Sequence, residues 1–381
     1  VARQVNTTPH RTTGLPLRAL RVEVKEGADA GKRFVSESDV ITIGTAEGND
    51  LVLTDETVSR YHLELRRKAD RIIVQDHGST NGTELGSALL EKATIAPGTT
   101  LKLGKTIIRV DDGDIVTLEL HDADRLGGLR GRSPEIRELM ARIKRAASTE
   151  LSVLILGETG TGKEVIAHAV HEVSTRAEKP FETVDCGALT PTLVASELFG
   201  HEKGAFTGAD HQHIGAFERA NGGTIFLDEI GELPQPLQAA LLGALERRSF
   251  RRLGGQKQIS VDVRVISATN RDLRSEVNAG RFRSDLYFRL AVFLIRVPPL
   301  REHAADIPIL VEHFLREAGF DGDVNEVIGA EPMQALKAHS WPGNVRELRN
   351  VVESALAAGE ARIDPPTEGT KSGETKRSTE N

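Results

Sequence analysis

The sequence predicts a multidomain chain: an all-β sandwich, then an α/β domain on a parallel sheet, then a small α-helical lid. Three observations predict it. From about Leu20 to Leu120, short apolar or alternating runs such as "LRVEVKEG", "VITIGT", "YHLELRR" and "RIIVQDHG" are punctuated by Gly, Asn or Asp, the pattern of short strands joined by turns. Strand-like and helical patterns then alternate through "SVLILG", "KEVIAHAVHEVS", "FETVDCG", "TIFLDEI", "PLQAALLGALER" and "VRVISATN", as a parallel sheet covered by helices requires. Beyond Pro298 only helical patterns remain, around "DIPILVEHFLREAG", "PMQALKAHS" and "NVRELRNVVESALAAG".

A chain of 381 residues is longer than one core usually serves, so several domains are expected. The boundaries read as a flexible tail over 1–18, the sandwich over 19–120, a linker over 121–132, the α/β domain over 133–298, the lid over 299–361 and a tail over 362–381. The last segment has Ile363 as its only large apolar residue and is expected to be disordered. The α/β domain opens on a helix at Pro134, with Ser133 placed to cap it and Ile136, Leu139, Met140 and Ile143 on one face. A formal net charge of −7 argues against nucleic-acid binding through bulk positive charge. Cys186 is the only cysteine, which excludes an internal disulfide and a cysteine zinc cluster and suits a reducing cytosol. The stretch "VARQVNTTPHRTTGLPL" lacks the apolar core of a secretion signal, and no later run has membrane-spanning length; a cytoplasmic protein without membrane contact is expected.

The chemistry begins at "LILGETGTGKE", where an apolar strand runs directly into Gly157, Glu158, Thr159, Gly160, Thr161, Gly162 and Lys163, and a helix follows at once. Glycines let backbone N–H groups wrap phosphate oxygens, the helix adds its positive end, and Lys163 neutralises the β and γ phosphates: a Walker A loop for ATP. Glu164 stands where a Ser or Thr is usual, so Mg²⁺ must be held mainly by another group and by water. A glycine-rich turn alone could be a mere connection. "GGTIFLDEI" decides against that, since its strand ends in Asp228, placed for Mg²⁺, and Glu229, placed to orient and deprotonate a water. "VRVISATN" ends in Thr269 and Asn270, which either read the γ-phosphate between the two Walker strands or simply cap the strand. Phosphoryl transfer also needs positive charge, often from a neighbouring molecule; Arg281, Arg283 and Arg289 in "GRFRSDLYFRL" are candidates. Arg346 in "WPGNVRELRN" either reaches the nucleotide on lid closure or lies solvated on a helix packed through Val345, Leu348 and Val352.

In order, "GETGTGKE", "SELFGHEKGAFTGA", "GGTIFLDEI", "FRSDLYFRL" and "WPGNVREL" resemble the AAA+ activators of sigma-54 RNA polymerase, over roughly Gly128 to Gly359, about three-fifths of the chain. The resemblance implies that Gly204, Ala205, Phe206, Thr207, Gly208 and Ala209 form a loop at the tip of an insertion, with Phe206 and Thr207 pressing on sigma-54 during ATP turnover. It implies that Lys163, Asp228 and Glu229 serve ATP, that Arg283 and Arg289 are fingers reaching the adjacent subunit of a ring, usually a hexamer, and that Arg346 is the lid sensor. The turn "RRSFRRLGGQK" would lie beside that loop, its Arg251 and Arg252 either touching promoter DNA or solvated. Asp185 departs from the family's usual Asn, which holds the catalytic glutamate; two facing carboxylates would repel, so that switch is expected to differ here.

The sandwich resembles a forkhead-associated (FHA) domain, a phosphothreonine reader, through "ITIGTAEGNDLVLTDETVSRYHLEL" and "DHGSTNGTEL". The resemblance implies phosphate binding by Ser59 and Arg60, a ligand backbone fixed by Thr80 and Asn81, and loops buttressed by His62. Gly44-Thr45 replaces the family's Gly-Arg, removing a guanidinium that a hydroxyl replaces poorly. The ligand would be a phosphothreonine protein or the chain's own tail, with Thr7, Thr8, Thr12 and Thr13. After Gly359 too few apolar residues remain for the helix-turn-helix domain common in the family, so promoter DNA contact is expected to be weak or indirect. The expected function is ATP-driven activation of the sigma-54 RNA polymerase holoenzyme under phosphothreonine control. A non-catalytic phosphopeptide adaptor, or a remodeller of another protein, is the alternative.

Overall fold

The computed structural model describes residues 14–36, 39–68, 70–187 and 190–358; the expected tail over 362–381 and the four threonines of the amino-terminal tail lie outside them. The chain divides into two compact units, one holding the sandwich and the α/β domain, the other holding the lid together with Thr159–Thr161.

The sandwich strands are β1 (Gly14–Glu26), β2 (Arg33–Val35), β3 (Val40–Gly44), β4 (Leu51–Val52), β5 (Leu63–Lys68), β6 (Arg71–Asp76), β7 (Thr83–Leu85), β8 (Ala88–Leu90), β9 (Lys92–Ile95), β10 (Thr99–Leu103) and β11 (Thr106–Glu119). One sheet runs β2-β1-β11-β10-β7-β8 and the other β4-β3-β5-β6-β9. Alternation sets the core: Leu20, Val22 and Val24 of β1 meet Ile41, Ile43, Leu63 and Leu65 of the opposite sheet, all essentially inaccessible to water. β1 begins at Gly14, inside the stretch expected to be a tail, because antiparallel pairing with β11 continues back to Gly14↔Glu119.

Asp55 ties the sandwich's turns together. It is buried and accepts from Thr57 N at 2.9 Å, Thr57 Oγ1 at 2.7 Å and Thr106 Oγ1 at 2.7 Å. Burial pushes its carboxyl up, but the Thr57 and Thr106 hydrogen bonds outweigh burial and bring it down to about 2 from an ordinary 3.8. A carboxylate depressed in the folded state adds stability above its unfolded pKa and loses it as pH falls through its folded one. Asp55→Asn should therefore cost about 2 kcal/mol near neutral pH, with the difference from wild type closing between about pH 4 and pH 2. Urea unfolding at stepped pH checks this; a difference constant with pH would contradict it.

Between the two domains, where a linker was expected, β12 (Arg125–Leu126) and β13 (Leu129–Arg130) make a small hairpin. The α/β domain follows with α1 (Pro134–Ala147), β14 (Val153–Leu156), α2 (Lys163–Glu172), β15 (Phe181–Asp185), α3 (Pro191–Phe199), α4 (Ala216–Arg219) and β16 (Thr224–Asp228). It continues with α5 (Gln235–Arg247), the hairpin β17 (Ser249–Arg251) and β18 (Gln258–Ser260), β19 (Arg264–Thr269), α6 (Leu273–Asn278), α7 (Ser284–Leu290) and β20 (Phe293–Arg296). Ser133 caps α1 by accepting from Ile136 N, and the expected apolar face of Ile136, Leu139, Met140 and Ile143 is buried. The sheet is parallel, in the order β15-β16-β19-β14-β20, with a core on each face. β19 thus lies between β14 and β16, and the loops after these three strands share one carboxyl edge, where α/β sheets bind ligands.

The sandwich is seated on the α/β domain. Tyr61 is buried in the latter's core, edge-on to Tyr287 with centroids 5.2 Å apart, and Asn278 Nδ2 donates to Tyr61 O at 2.6 Å and His77 O at 3.0 Å. His77 Nδ1 is 2.6 Å from Asp272 Oδ2.

The second unit contains α8 (Ile307–Glu317), α9 (Val324–Val327), α10 (Ala330–Ala338) and α11 (Asn344–Ala358) around a fully buried Trp341, whose Nε1 donates to Leu336 O at 2.8 Å. Leu348 and Val352 turn inward from α11. Thr159–Thr161 are fastened here: Asn344 Nδ2 donates to Thr159 O at 3.1 Å and Arg346 N to Gly160 O at 3.2 Å.

Candidate functional site

The loop after β14 needs its glycines. Gly160 and Gly162 hold φ of 79° and 89°, and a Cβ on Gly160 would sit 2.3 Å from Gly343 O. The loop runs from Gly157 and Glu158 through the half-buried Gly160 and buried Thr161 to Lys163, which opens α2 and is itself 7% exposed. Lys163 Nζ donates to Gly157 O at 3.2 Å and lies 3.4 Å from Glu229 Oε1. Glu164 is exposed in the first turn of α2.

At the end of β16, Asp228 Oδ1 accepts from Glu229 N at 2.9 Å. Burial raises the Asp228 carboxyl above the ordinary range, with the neighbouring Glu229 and Asp185 charges adding to it. Glu229 has φ 46°, a left-handed conformation uncommon for a long side chain and the kind of backbone strain that collects at working sites. Its carboxylate lies between Lys163 Nζ and the backbone of Asn270, whose N–H donates to Oε2 at 3.3 Å. Asp185 Oδ1 accepts from Gly187 N at 2.8 Å. Cys186 is buried beside these acids; burial and the Asp185, Asp228 and Glu229 charges push its thiol up to about 12.

Of the two readings of Thr269, its contact fits the strand cap. It is fully buried, and its Oγ1 accepts from Arg271 N at 3.1 Å; Asn270 is the exposed member of the pair.

The arginines expected as fingers lie at the two ends of α7. Arg283 grips Asp285 with both arms, at 3.0 and 2.7 Å, and Arg289 Nη2 donates to Leu245 O at 3.1 Å. Arg281 is paired with Glu276.

The stretch from Gly200 to Gly215 forms a closed loop. His201 and His213 exchange backbone hydrogen bonds at its base, and Gly204 N donates to Ala209 O at 2.8 Å. Phe206 is half-buried, edge-on to His201 with centroids 4.9 Å apart, so the ring is tucked against the loop's own base and Thr207 carries the exposed tip. Gly204 and Gly208, at φ 82° and 96°, flank Ala205 to Thr207, and Ala209 is buried beneath. The β17–β18 turn lies alongside, Glu202 N donating to Leu253 O at 3.0 Å. Arg252, a candidate for DNA, is instead locked to Glu218 and Glu202, while Arg251 is exposed.

On the sandwich, Ser59 Oγ accepts from Thr80 N at 2.9 Å and Asn81 Nδ2 donates to Thr57 O at 2.7 Å, so Ser59, Thr80 and Asn81 are brought together. His62 buttresses them from within: Nδ1 accepts from Ser59 N at 3.1 Å, Nε2 faces Gly82 O at 3.2 Å, and burial keeps the ring neutral by lowering its pKa. Arg60 is turned away, its Nη2 donating to Val277 O of α6 at 3.0 Å. Among the described residues no cluster of His, Cys, Asp and Glu could hold a metal by itself, and no helix is long and apolar enough to cross a membrane.

Comparison with known proteins falls on the same segments. Residues 129–296 match the family described as "Sigma-54 interaction domain", residues 301–365 the "AAA+ ATPase lid domain", and residues 23–114 the "Inner membrane component of T3SS, cytoplasmic domain". The chain is 51% identical to the Nif-specific regulatory protein of Azotobacter vinelandii over 230 residues, 60% of this chain and 44% of that one. It is also 51% identical to the transcriptional regulatory protein ZraR of Escherichia coli K12 over 231 residues, 60% of this chain and 52% of that one. The crystal structure of NtrX from Brucella abortus in complex with ATP is similar at TM-score 0.56 and 41% identity, over 62% of this chain and 55% of that one. The chain thus spans about half the length of the relatives it matches.

Proposed function

We propose that this chain, which belongs to the sigma-54-dependent AAA+ activators through its α/β domain and lid, hydrolyses ATP to remodel the sigma-54 RNA polymerase holoenzyme at a closed promoter. The observation that carries this is the convergence of Lys163 and Glu229 beside Asp228 at the carboxyl edge of the sheet. Gly157 to Lys163 cradle the phosphates, and Lys163 leaves Glu229 for the γ-phosphate when nucleotide binds. That frees the Glu229 carboxylate to take a proton from the attacking water. Asp228 offers hard carboxylate oxygens suited to Mg²⁺, which would supply charge neutralisation on the phosphates. Arg283 and Arg289 reach a neighbouring protomer's nucleotide, which makes the working form a ring, a hexamer by the family's habit. Arg346 keeps the lid-sensor role.

Turnover moves the Phe206–Thr207 tip against sigma-54, and the ring of Phe206 leaves His201 to do so. The sandwich reads phosphothreonine through Ser59, Thr80 and Asn81, a reading supported by their convergence over His62. The chain works in the cytoplasm and meets promoter DNA through its partners.

Transcription reconstituted with sigma-54 polymerase tests the reading. Thr207→Ala should hydrolyse ATP at close to the wild-type rate and form no open complex. Open complex formed normally by that variant would remove Thr207 from the contact; ATP turnover without open complex by the wild type would favour a remodeller of another protein, and no ATP turnover by the wild type would leave a phosphopeptide adaptor.

A further inference from the structure

The recognition loops of the sandwich are not arranged around solvent. The loop after β3 brings Gly48 so close to α7 that a Cβ there would lie 2.2 Å from the Phe288 ring. The loop after β4 carries Tyr61 into the α/β core against Tyr287 and sends Arg60 to the Val277 carbonyl. Beneath them, Glu64 of β5, 2% exposed, is held by Arg274 at 3.2 Å and by Arg296. Burial alone would raise the Glu64 carboxyl, but the guanidinium groups of Arg296 and Arg274 win and hold it lowered. A charge so deeply buried is tolerable only while its partners stay in place, so separating the two surfaces must rehydrate the whole cluster together. That makes the contact two-state, seated or released.

We propose that the occupant of the sandwich's recognition edge is the α6–α7 segment of this same chain, and that a phosphothreonine ligand competes with that segment for Arg60. The proposal rests on the phosphothreonine reading above. Ser59, Thr80 and Asn81 already stand ready at the open half of the edge, while the guanidinium of Arg60 is engaged on a backbone carbonyl. A phosphate dianion is a far better partner for Arg60 than a neutral carbonyl, so ligand binding draws Arg60 off Val277 and loosens the seat. The seated segment includes α7, whose ends are Arg283 and Arg289. A sandwich resting on Phe288 occupies the helix that a neighbouring protomer must approach, so seating restrains turnover and release permits it.

Two variants of the full chain, one from each surface, test this. Asn278→Ala removes the hydrogen bonds to Tyr61 O, His77 O and Tyr61 N of the sandwich backbone, and Gly48→Glu forces a charged side chain against Phe288. The readouts are ATP turnover at fixed protein concentration, deuterium uptake over residues 273–290, and binding of a degenerate phosphothreonine peptide pool against its unphosphorylated counterpart. Both variants should turn over ATP several-fold faster, exchange faster across α6–α7, and bind the phosphorylated pool several-fold more tightly, because the competent state no longer has to be released first. Faster turnover and exchange with no pool binding by any form would overturn phosphothreonine competition while upholding the seat. Unchanged turnover and exchange in whichever variants fold, with the pool bound equally by wild type, would overturn the seat and leave the phosphothreonine reading intact.

Discussion

Glu229→Gln is expected to bind ATP as the wild type does and to lose turnover by roughly 10²–10⁴-fold, the span a general base typically contributes. The amide keeps the size of the side chain and its acceptor toward Asn270 N, so the loop after β16 retains its shape. It cannot take a proton from water. It also ends the charge attraction to Lys163, which lies 3.4 Å from the carboxylate, and this should free the ammonium for phosphate and tighten nucleotide binding slightly. A fluorescent ATP analogue reports binding and phosphate release reports turnover. Turnover within a few-fold of wild type would place the base elsewhere.

The second large effect concerns Arg289. Its guanidinium donates to Leu245 O of its own chain and Arg283 is closed on Asp285, contacts that lie away from that chain's own nucleotide loop, and the loop each is proposed to serve belongs to a neighbour. Arg289→Ala should lose turnover by roughly 10³-fold or more, as when a transition-state arginine is removed. Mixing it with Glu229→Gln chains should then restore a measurable fraction of activity, because some interfaces would join an intact glutamate to an intact finger. Restoration that rises and falls with the mixing ratio, read by phosphate release, marks a site shared between chains. Two dead proteins staying dead when mixed would assign Arg289 a role inside its own fold.

Much of this was legible in the sequence because it is local. Alternation gave the sandwich strands, and a glycine loop between strand and helix gave the proposed phosphate cradle whatever surrounds it. The start of β1 was hidden because "TTGLP" has turn composition, and only the length of β11 reveals that a partner is waiting for it. The β12–β13 hairpin hid in the same way, since Gly127-Gly128 reads as a linker. Thr269 was ambiguous in principle: the same hydroxyl can face a ligand or its own turn, and the contact with Arg271 N depends on a turn that composition does not specify. Least legible was the seat of the sandwich. Glu64 alternates with Leu63 and Leu65 and so reads as a solvent-facing strand residue, yet its partner Arg274 is 210 residues away.

Cys186 has a practical consequence. With its sulfur sealed in the fold and its proton held to about pH 12, the sole thiol of the chain is mute toward maleimides at neutral pH. A cysteine introduced at Thr207 or on the surface of α7 would therefore carry a single dye or spin label without background, giving distance measurements across a working assembly from otherwise unaltered protein.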